Sequence, residues 1–475
     1  MKSLFKTTEF KLFITVWLVL IFFIADYGGN YLADSTLSST LSFVDQGSFQ
    51  SDDYVKEGCK LTGCDYAFYK GHYYSGFAPG MTMFAIPLYT VFKPLFSFIP
   101  ETLFGYPQNQ IKLILLNFLS IVFISSLISA LFAVLIYKTL SKFTKNKKNK
   151  LIVSFLFPFG TLFFSHSIEY NSAVVSMFFI FLSFFILFNM KDSEIKTNQL
   201  FFAGICSGIA FFIYYVHLIP IVILGIYLLT FLRDKRIFYF IIGASIPALV
   251  VFIYHYLIFD NFFITSYSYK IHPMAIKTLT NNLPSIAGPR LTTLYGLSFS
   301  PEKGFFSYMP IMVLSFYGLY IMFRQKKFLK EASFFSLIFI IVFLFNASLV
   351  DNLWPANCGF GPRYLISIIP FMIIPLIFAL KKVRTSIFVL FATASVFINL
   401  LGSMYGKTLL WTGGCIDPHA LLLYFKTIPS RGFTNYTLNL IKERIFDLPI
   451  WGINFIALVS FSILVFILVK IWKYK

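Results

Sequence analysis

The sequence carries little charge for its length. Only 12% of its 475 residues are charged, whereas 58% are hydrophobic and 20% are aromatic. A soluble domain averages about 25% charged residues. Half that fraction, together with repeated apolar runs of membrane-spanning length, excludes a soluble enzyme, a disordered tail and a fibrous repeat. The sequence also lacks internal repeats, low-complexity tracts and any stretch with the composition of a separate soluble domain.

Acidic residues are scarcer than basic ones. The chain has 20 Asp and Glu against 39 Lys and Arg, which gives a formal net charge of +19. An excess of this size can indicate nucleic-acid binding, an anionic surface or the orientation of a membrane protein. The positions of the charges along the chain decide among these.

Twelve apolar segments are candidate transmembrane helices, since a helix needs about 20 predominantly apolar residues to cross a bilayer. They are 12–26, 113–137, 151–168, 171–190, 200–216, 218–232, 237–259, 305–323, 332–350, 365–380, 385–404 and 449–470. The stretch 200–232 is divided into two crossings near His217 and Pro220, because basic clusters flank both of its ends. The stretch 80–98 is broken by prolines and a lysine, so it is assigned to a helix at the outer interface and not to a span.

The basic residues collect on one side of this arrangement. The segments assigned to the cytoplasm hold 24 of the 39 Lys and Arg and five of the 20 acids, so the net charge of +19 lies inside. By the positive-inside rule, this excess is a topology signal and not a nucleic-acid footprint. We therefore predict one all-α polytopic membrane domain over 1–475, with about twelve transmembrane helices and both termini cytoplasmic.

The predicted protein belongs to the cell membrane, plasma or inner, and retains its first span instead of losing a signal peptide. Its first extracytoplasmic loop is large, 27–112, and includes the interfacial helix 80–98. Further extracytoplasmic loops are predicted at 260–304 and 405–448.

Cysteine is also rare, with five residues in the chain. Cys206 falls within a predicted span, and the disulfide candidates in outer segments are Cys59, Cys64, Cys358 and Cys415. Four cysteines in an oxidising compartment allow three pairings. A Cys59–Cys64 bond would close a short loop and a Cys358–Cys415 bond would join two loops, while four free cysteines are the alternative.

The predicted spans contain almost no ionisable residues. Transporters and ion pumps place carboxylates, arginines or histidines near the bilayer midplane, so this scarcity argues against a transport pathway. The acids concentrate instead in the first outer loop, at Asp26, Asp34, Asp45, Asp52, Asp53, Glu57 and Asp65. We therefore expect a functional site at the outer membrane surface.

Two outer motifs place cations beside flexible backbone. Residues 300–304 (Ser-Pro-Glu-Lys-Gly) precede the eighth predicted span, and residues 359–364 (Gly-Phe-Gly-Pro-Arg-Tyr) precede the tenth. Lys303 and Arg363 are the cations, and a guanidinium fork can bind two phosphate oxygens. The alternative is a pair of snorkelling side chains beside lipid headgroups. Together on one side, the motifs favour an anionic lipid ligand.

Three stretches resemble motifs of the integral-membrane C-type glycosyltransferases. These enzymes are relatives of the dolichyl- or polyprenyl-phosphate-mannose protein mannosyltransferases and of the lipid A aminoarabinose transferases. The first stretch, 65–80, reads DYAFYKGHYYSGFAPG and is followed by Pro87-Leu-Tyr89. The others are GLSFSPEKG at 296–304 and GPRY at 361–364, with Pro370 behind it. The order of the motifs along the chain fits the resemblance.

The resemblance implies transfer of a sugar, usually with inversion, from a polyprenyl-phosphate-linked donor at the outer face. The family's catalytic base is an acid of the first outer loop, which favours Asp34 here, with Asp26 and Asp65 as the other candidates. Many members have Asp-Glu where this chain has Asp34-Ser35. Members also often have an acid after Tyr-Ser, where this chain has Gly76.

The residue types suit this chemistry. A positioned carboxylate can take the proton of an acceptor hydroxyl. Direct displacement at the anomeric carbon needs only this one base, whereas a retaining hydrolase uses a pair of carboxylates. The leaving lipid phosphate needs a cation, for which Arg363 and Lys303 are the candidates. The candidates for substrate binding are His72, Tyr73 and Tyr74. No metal-ligand cluster stands out, so a cofactor, whether a divalent metal or another group, stays unassigned.

The predicted function is that of a membrane hexosyltransferase. Its partners are the lipid-linked donor, the bilayer and an acceptor glycan, lipid or protein, with no nucleic acid. A flippase or transporter for lipid-linked sugars or polysaccharides is one alternative. A surface-polysaccharide polymerase or ligase is another, and Arg431 and Arg444 in the third outer loop would suit it.

Overall fold

The computed structural model of the chain is mostly helical. It describes residues 6–24, 31–61, 65–103, 105–191, 193–271, 279–280, 283–350, 354–355, 359–411, 419–432, 435 and 449–473. The chain forms two compact units, which are described separately below. Met1–Ala25, Ser126–Glu169 and Ala287–Lys475 make up the first unit, and Asp26–Ser125 and Tyr170–Ile286 make up the second.

The elements of the first 140 residues include two short hairpins. In chain order they are α1 (Thr8–Phe22), α2 (Tyr31–Gln46), α3 (Asp52–Leu61), β1 (Tyr66–Tyr69), β2 (His72–Ser75), α4 (Pro79–Phe96), β3 (Thr102–Leu103), β4 (Tyr106–Pro107), α5 (Gln108–Ser120) and α6 (Leu127–Leu140). A π-helical segment, Ile121–Ser126, joins α5 to α6. Strands β1 and β2 pair antiparallel, with Tyr66 opposite Ser75.

The rest of the described chain is helical apart from one more hairpin. The elements are α7 (Lys147–Phe159), α8 (Phe163–Ser167), α9 (Ser172–Met190), α10 (Thr197–Ile213), α11 (Leu218–Leu229), α12 (Ile237–Phe259), β5 (Leu279–Thr280), β6 (Leu283–Pro284), α13 (Leu291–Ser298), α14 (Phe305–Tyr308), α15 (Ile311–Arg324), α16 (Leu329–Ala347), α17 (Ile369–Met372), α18 (Leu376–Ala379), α19 (Thr385–Trp411), α20 (Ala420–Arg431) and α21 (Ile450–Lys473).

Six helices in the described part of the chain are long and apolar enough to cross a membrane. They are Gln108–Leu140, Ser172–Met190, Ile237–Phe259, Lys326–Ala347, Thr385–Gly406 and Asn454–Lys473, and each overlaps a predicted span. Several of the other predicted spans correspond to apolar helices of 10–17 residues, such as Thr197–Ile213 and Ile311–Arg324. A polytopic helical membrane protein is therefore present, while the number of twelve crossings and the orientation stay predictions.

Two predicted spans are interrupted by their own prolines and glycine. In 151–168, helix α7 contains Pro158 and ends at Phe159, Gly160 forms its C-cap, and α8 begins only at Phe163. In 365–380, a 3-10 segment and two helices of four residues replace a single helix. Proline removes a backbone donor and disfavours the helical conformation of the residue before it, so these helices break. Hydropathy alone did not predict the breaks, because the whole stretch is apolar.

Two other sequence predictions agree with the helix boundaries. The stretch 200–232 is divided as expected, because Tyr214 is extended (φ −154°) between α10 and a 3-10 turn, Tyr215–His217, that leads into α11. The stretch 80–98 forms helix α4, which begins with Pro79 in its first turn, where a proline needs no hydrogen-bond acceptor, and its place at the interface stays a prediction.

The second unit packs α10 against α12 through glycines. A Cβ atom on Gly204 would lie 2.0 Å from the carbonyl oxygen of Phe240, and one on Gly243 would lie 2.2 Å from that of Phe201. One turn after Gly204, a Cβ on Gly208 would lie 2.4 Å from the carbonyl oxygen of Ala244. Small residues at this spacing let two membrane helices approach at backbone distance.

Candidate functional site

Helix α2, which follows the predicted first span, has a buried polar face. The side chains of Ser35, Thr36, Ser38, Ser39, Thr40 and Ser42 are all fully buried. The Thr40 hydroxyl donates to the Thr82 carbonyl (3.0 Å), and the Thr82 hydroxyl donates to the Thr36 carbonyl (3.2 Å). Apart from Ser42, these short side chains satisfy their hydroxyls while α2 and α4 pack closely, which fixes the backbone that carries Asp34.

Asp34 lies in the first turn of α2 and is 2% exposed. The buried Tyr66 of β1 donates its hydroxyl to the Asp34 carbonyl oxygen (3.2 Å) and is 2.9 Å from the Ser38 hydroxyl. Burial raises the pKa of Tyr66, and the negative charge of Asp34 raises it further. The phenol therefore stays protonated, with its hydroxyl on the backbone carbonyl of Asp34.

Asp65 precedes β1 and has a charged partner of its own. The Lys270 ammonium lies 2.7 Å from Asp65 Oδ1, and the two side chains are only 6% and 16% exposed respectively. The same ammonium lies 3.9 Å from the centre of the Phe77 ring and 4.7 Å from that of Tyr267. The carboxylate of Asp65 is thus engaged in a nearly buried ion pair.

Gly76 stands where related motifs often carry an acid, and its surroundings explain the difference. A Cβ atom there would lie 2.3 Å from the Asp65 carbonyl oxygen and 3.1 Å from the Lys270 side chain. The Gly76 amide donates to the Ser35 hydroxyl (2.9 Å). The turn after β2 is therefore pressed against the start of α2 too closely for a larger residue.

The three candidate substrate-binding residues of β2 have different surroundings. His72 Nδ1 lies 2.7 Å from Asp52 Oδ2, and both side chains are more than a third exposed. Tyr73 is half-buried, and its amide donates to the other oxygen of Asp52 (2.8 Å). Tyr74 is 9% exposed and packs in an apolar cluster with Phe259. Only His72 and Tyr73 offer side-chain surface to a ligand.

A further acidic centre of this loop received no role from the sequence. Asp45 at the end of α2 accepts hydrogen bonds from the hydroxyls of Tyr54 (3.3 Å) and Tyr89 (3.0 Å) and pairs with Lys93 (2.7 Å). These groups line a cavity of about 460 Å³ together with Lys112 and others. Sequence reasoning grouped Asp45 with the other loop acids, and nothing in the pattern distinguished it.

In the first unit, the fold brings the two cationic motifs together. The Lys303 ammonium donates to the Gly359 carbonyl oxygen at 2.5 Å, and Lys303 is 1% exposed. A Cβ on Gly359 would lie 3.3 Å from Arg363 Cδ. The residue whose carbonyl accepts from Lys303 therefore lies next to the Arg363 side chain. Burial, together with the like charge of Arg363, lowers the pKa of Lys303 to about 7, and Glu302 opposes this shift.

Aromatic residues and a histidine contact the two motifs that carry these cations. The Tyr308 hydroxyl donates to the Glu302 carbonyl oxygen (3.0 Å), and the Phe360 ring packs edge-on against Tyr308 and Tyr424. His166 Nε2 is 3.1 Å from the Phe360 carbonyl oxygen. Sequence reasoning missed His166, and the only available signal was a histidine beside the interruption of the predicted span 151–168.

Glu169, the other acid of this region, also received no prediction. It follows α8 and is half-buried. Burial raises the pKa of Tyr424, and the charge of Glu169 raises it further, so the carboxylate lies near that phenol. An acid, two tyrosines and a histidine therefore accompany Lys303 and Arg363 in the first unit.

Several predicted residues lie outside the described part of the chain. They are Asp26, Cys64, Cys358 and Cys415. Cys59 is disulfide-bonded, and Cys206 is free and buried. Within the described residues, no group of three His, Cys, Asp or Glu side chains is arranged to hold a metal ion.

Neither a protein-family model nor a curated protein sequence matches the chain. Among solved structures it is similar to the crystal structure of ArnT from Cupriavidus metallidurans bound to undecaprenyl phosphate. The TM-score is 0.48 at 13% identity, over 87% of this chain and 75% of that one. The apo ArnT structure gives a TM-score of 0.46 at 13% identity, over 87% and 74%.

Proposed function

We propose that this protein transfers a sugar from a polyprenyl-phosphate-linked donor to an acceptor hydroxyl at the extracytoplasmic face of the membrane. The observation that carries the proposal is the convergence of Lys303 and Arg363 from two motifs. A buried ammonium beside a guanidinium is destabilised by the like charge, so a bound anion stabilises the pair. A lipid phosphodiester is such an anion. Undecaprenyl phosphate, which is bound in one ArnT structure, is a polyprenyl phosphate, the class of lipid that carries the sugar in this proposal.

Lys303 and Arg363 act on the leaving group in this proposal. When the bond between the anomeric carbon and the phosphate breaks, negative charge grows on the lipid phosphate. Fixed cations in a site shielded from water stabilise that charge more than they stabilise the intact donor. Arg363 supplies a permanently charged fork, while Lys303 holds its proton more firmly once an anion is bound.

Asp34 acts as the general base in this proposal. Its carboxylate is buried, and the neighbouring Tyr66 stays a neutral phenol whose hydroxyl donates to the Asp34 backbone carbonyl. Asp65 is a weaker candidate because the Lys270 ion pair already engages it. Asp26 keeps its role as an alternative by sequence alone. With a single base, attack on the anomeric carbon proceeds with inversion.

The exposed rim of the first hairpin suits sugar or acceptor binding. His72 and Tyr73 present polar and aromatic surface, and Asp52 holds both of them by hydrogen bonds. Tyr74 acts instead by anchoring the hairpin to the apolar cluster with Phe259. We further propose twelve crossings, two cytoplasmic termini and a hexose as the sugar, in line with the charge pattern and the motifs.

The proposal is tested with the full chain in liposomes that contain a polyprenyl-phosphate hexose. The readout is hexose transfer and release of the polyprenyl phosphate. Asp34→Asn should reduce the rate by about 100-fold or more, because a positioned base contributes that much. Asp53→Asn is the matched control: this exposed acid of the same loop accepts a hydrogen bond from Gln46 that an asparagine oxygen can also accept. Full activity of a folded Asp34→Asn variant would contradict the assignment of the base.

A further inference from the structure

The first unit contains a long apolar groove with a basic end. Its volume is about 1310 Å³, and its walls come from α1, α7, α19 and α21. On α7 the wall consists of Lys147, Lys148, Leu151, Ile152 and residues of the next two turns. Residues four apart lie on the same helix face, so both lysines stand one turn before the apolar part of the wall.

The two lysines have no acidic partner in the described part of the chain. Each is at the first turn of α7, where Asn146 caps the helix by accepting from the Asn149 amide. Leu151 and Ile152 follow them on the same face. Their ammonium groups therefore add positive charge to one end of a groove that is otherwise lined mainly by hydrocarbon.

The far end of the groove is polar without being charged. Asn435 and Asn454 line it there, and the Asn435 amide donates to the Phe22 carbonyl oxygen (2.7 Å). At the lysine end, the rings of Phe155 and Trp472 are 6.2 Å apart, so the last turn of α21, which carries Lys470, adjoins the early turns of α7. The groove is thus cationic at one end and neutral at the other.

The length of the groove matches one leaflet of a membrane. From Lys147 to Phe159 the wall of α7 measures about 18 Å, at about 1.5 Å per residue. One leaflet contributes half of a hydrocarbon core that is about 30 Å thick. An acyl chain that lies along the groove would therefore place its headgroup at the level of Lys147 and Lys148.

We propose that this groove binds an anionic glycerophospholipid, with an acyl chain along the α7 and α21 walls and the phosphate at Lys147 and Lys148. A neutral lipid would fill the hydrocarbon part equally well but would leave two ammonium groups without a counter-charge. The proposal is independent of the sugar-transfer function, because the groove is lined by neither Lys303 nor Arg363.

The test compares lipids bound to the full-length protein. Purified protein in nanodiscs of phosphatidylcholine, with or without phosphatidylglycerol, is analysed by native mass spectrometry and by thermal unfolding. We expect phosphatidylglycerol to bind preferentially and to raise the Tm. Neutralising two surface lysines weakens anionic lipid binding by roughly thirtyfold. Lys147→Gln with Lys148→Gln should show that loss, while the corresponding double arginine variant keeps the binding.

Two controls separate the groove from general surface charge. Lys142→Gln with Lys145→Gln removes two lysines of the same basic run that do not line the groove, and it should leave binding unchanged. Leu458→Trp should reduce binding by filling the groove while all lysines remain. Equal binding of the two phospholipids, equal losses in both lysine pairs, or displacement of phosphatidylglycerol by undecaprenyl phosphate would each overturn the proposal.

Discussion

Lys303 is influenced by charges of both signs, from Arg363 and from Glu302. Burial and Arg363 lower its pKa to about 7, and Glu302 acts in the other direction. Because the folded chain then binds fewer protons than the unfolded one between about pH 7 and 10.5, the free energy of unfolding increases with pH over that window. Ligand binding has the opposite pH dependence, since a phosphate binds the protonated lysine.

Donor affinity should therefore fall as the pH rises through 7. A polyprenyl-phosphate sugar is a phosphodiester that keeps its single negative charge over this range, so the lysine is the group that changes. Lys303→Arg should remove most of the pH dependence, because a guanidinium stays charged. Binding isotherms of both proteins between about pH 6 and 9 measure this, and the same slope in both would show that another group titrates.

The ion pair between Asp65 and Lys270 is a second residue-scale feature with a measurable consequence. Removing one partner of a buried pair leaves an uncompensated charge and costs roughly 3 kcal/mol or more. Asp65→Asn should therefore lower the free energy of unfolding more than the double variant Asp65→Asn with Lys270→Met. If the double variant is the less stable one, the pair stabilises the fold through its charge and not merely through packing.

The sequence pointed to both cationic motifs but could not show that they meet. Lys303 and Gly359 are 56 residues apart, and their contact depends on how the helices between them turn back. The ion pair between Asp65 and Lys270 could not be predicted either, because Lys270 belongs to none of the motifs. Asp34 was chosen from its position after the first predicted span, and its role as the base stays a prediction; the structure shows that it is buried among small polar side chains.

At the scale of elements, helix packing depends on glycine where two backbones touch. Gly204→Val should destabilise the protein by about 1 to 3 kcal/mol, because the new side chain would overlap the carbonyl of Phe240. Gly225→Val on α11 is the matched control, since a Cβ there meets nothing within 4 Å. Thermal unfolding in detergent measures both variants. If both variants lost the same amount of stability, the glycine contacts between α10 and α12 would contribute little to the stability of the protein.

Helix boundaries were predictable where charge and hydropathy agreed. The division of 200–232 followed from basic clusters on both sides, whereas the prolines and the lysine of 80–98 led only to the prediction that this stretch is not a span. The interruptions in 151–168 and 365–380 were missed, because apolar runs hide local backbone breaks. Pro158, Gly160, Pro370 and Pro375 were the available signals, and proline is often tolerated within membrane helices.

At the scale of the whole molecule, composition determined the class of protein and charge determined its predicted orientation. The six helices of spanning length among the described residues agree with a polytopic membrane protein. The remaining predicted crossings correspond to shorter or interrupted helices, which length and hydropathy alone cannot assign to a crossing. The distribution of lysine and arginine therefore carries the proposed topology, and in that proposal the motifs of the donor site lie on the extracytoplasmic side of the membrane.

The most direct measurement of the central claim is the binding of undecaprenyl phosphate compared with that of uncharged undecaprenol. The wild-type protein should prefer the phosphate, and Arg363→Gln should weaken phosphate binding by about tenfold or more, since a hydrogen bond to a charged group contributes about 1.5 to 3 kcal/mol. Binding of the alcohol should be unchanged in that variant. Equal affinity of the wild-type protein for the two lipids, or an Arg363→Gln variant that keeps the preference, would contradict a phosphate site at Lys303 and Arg363.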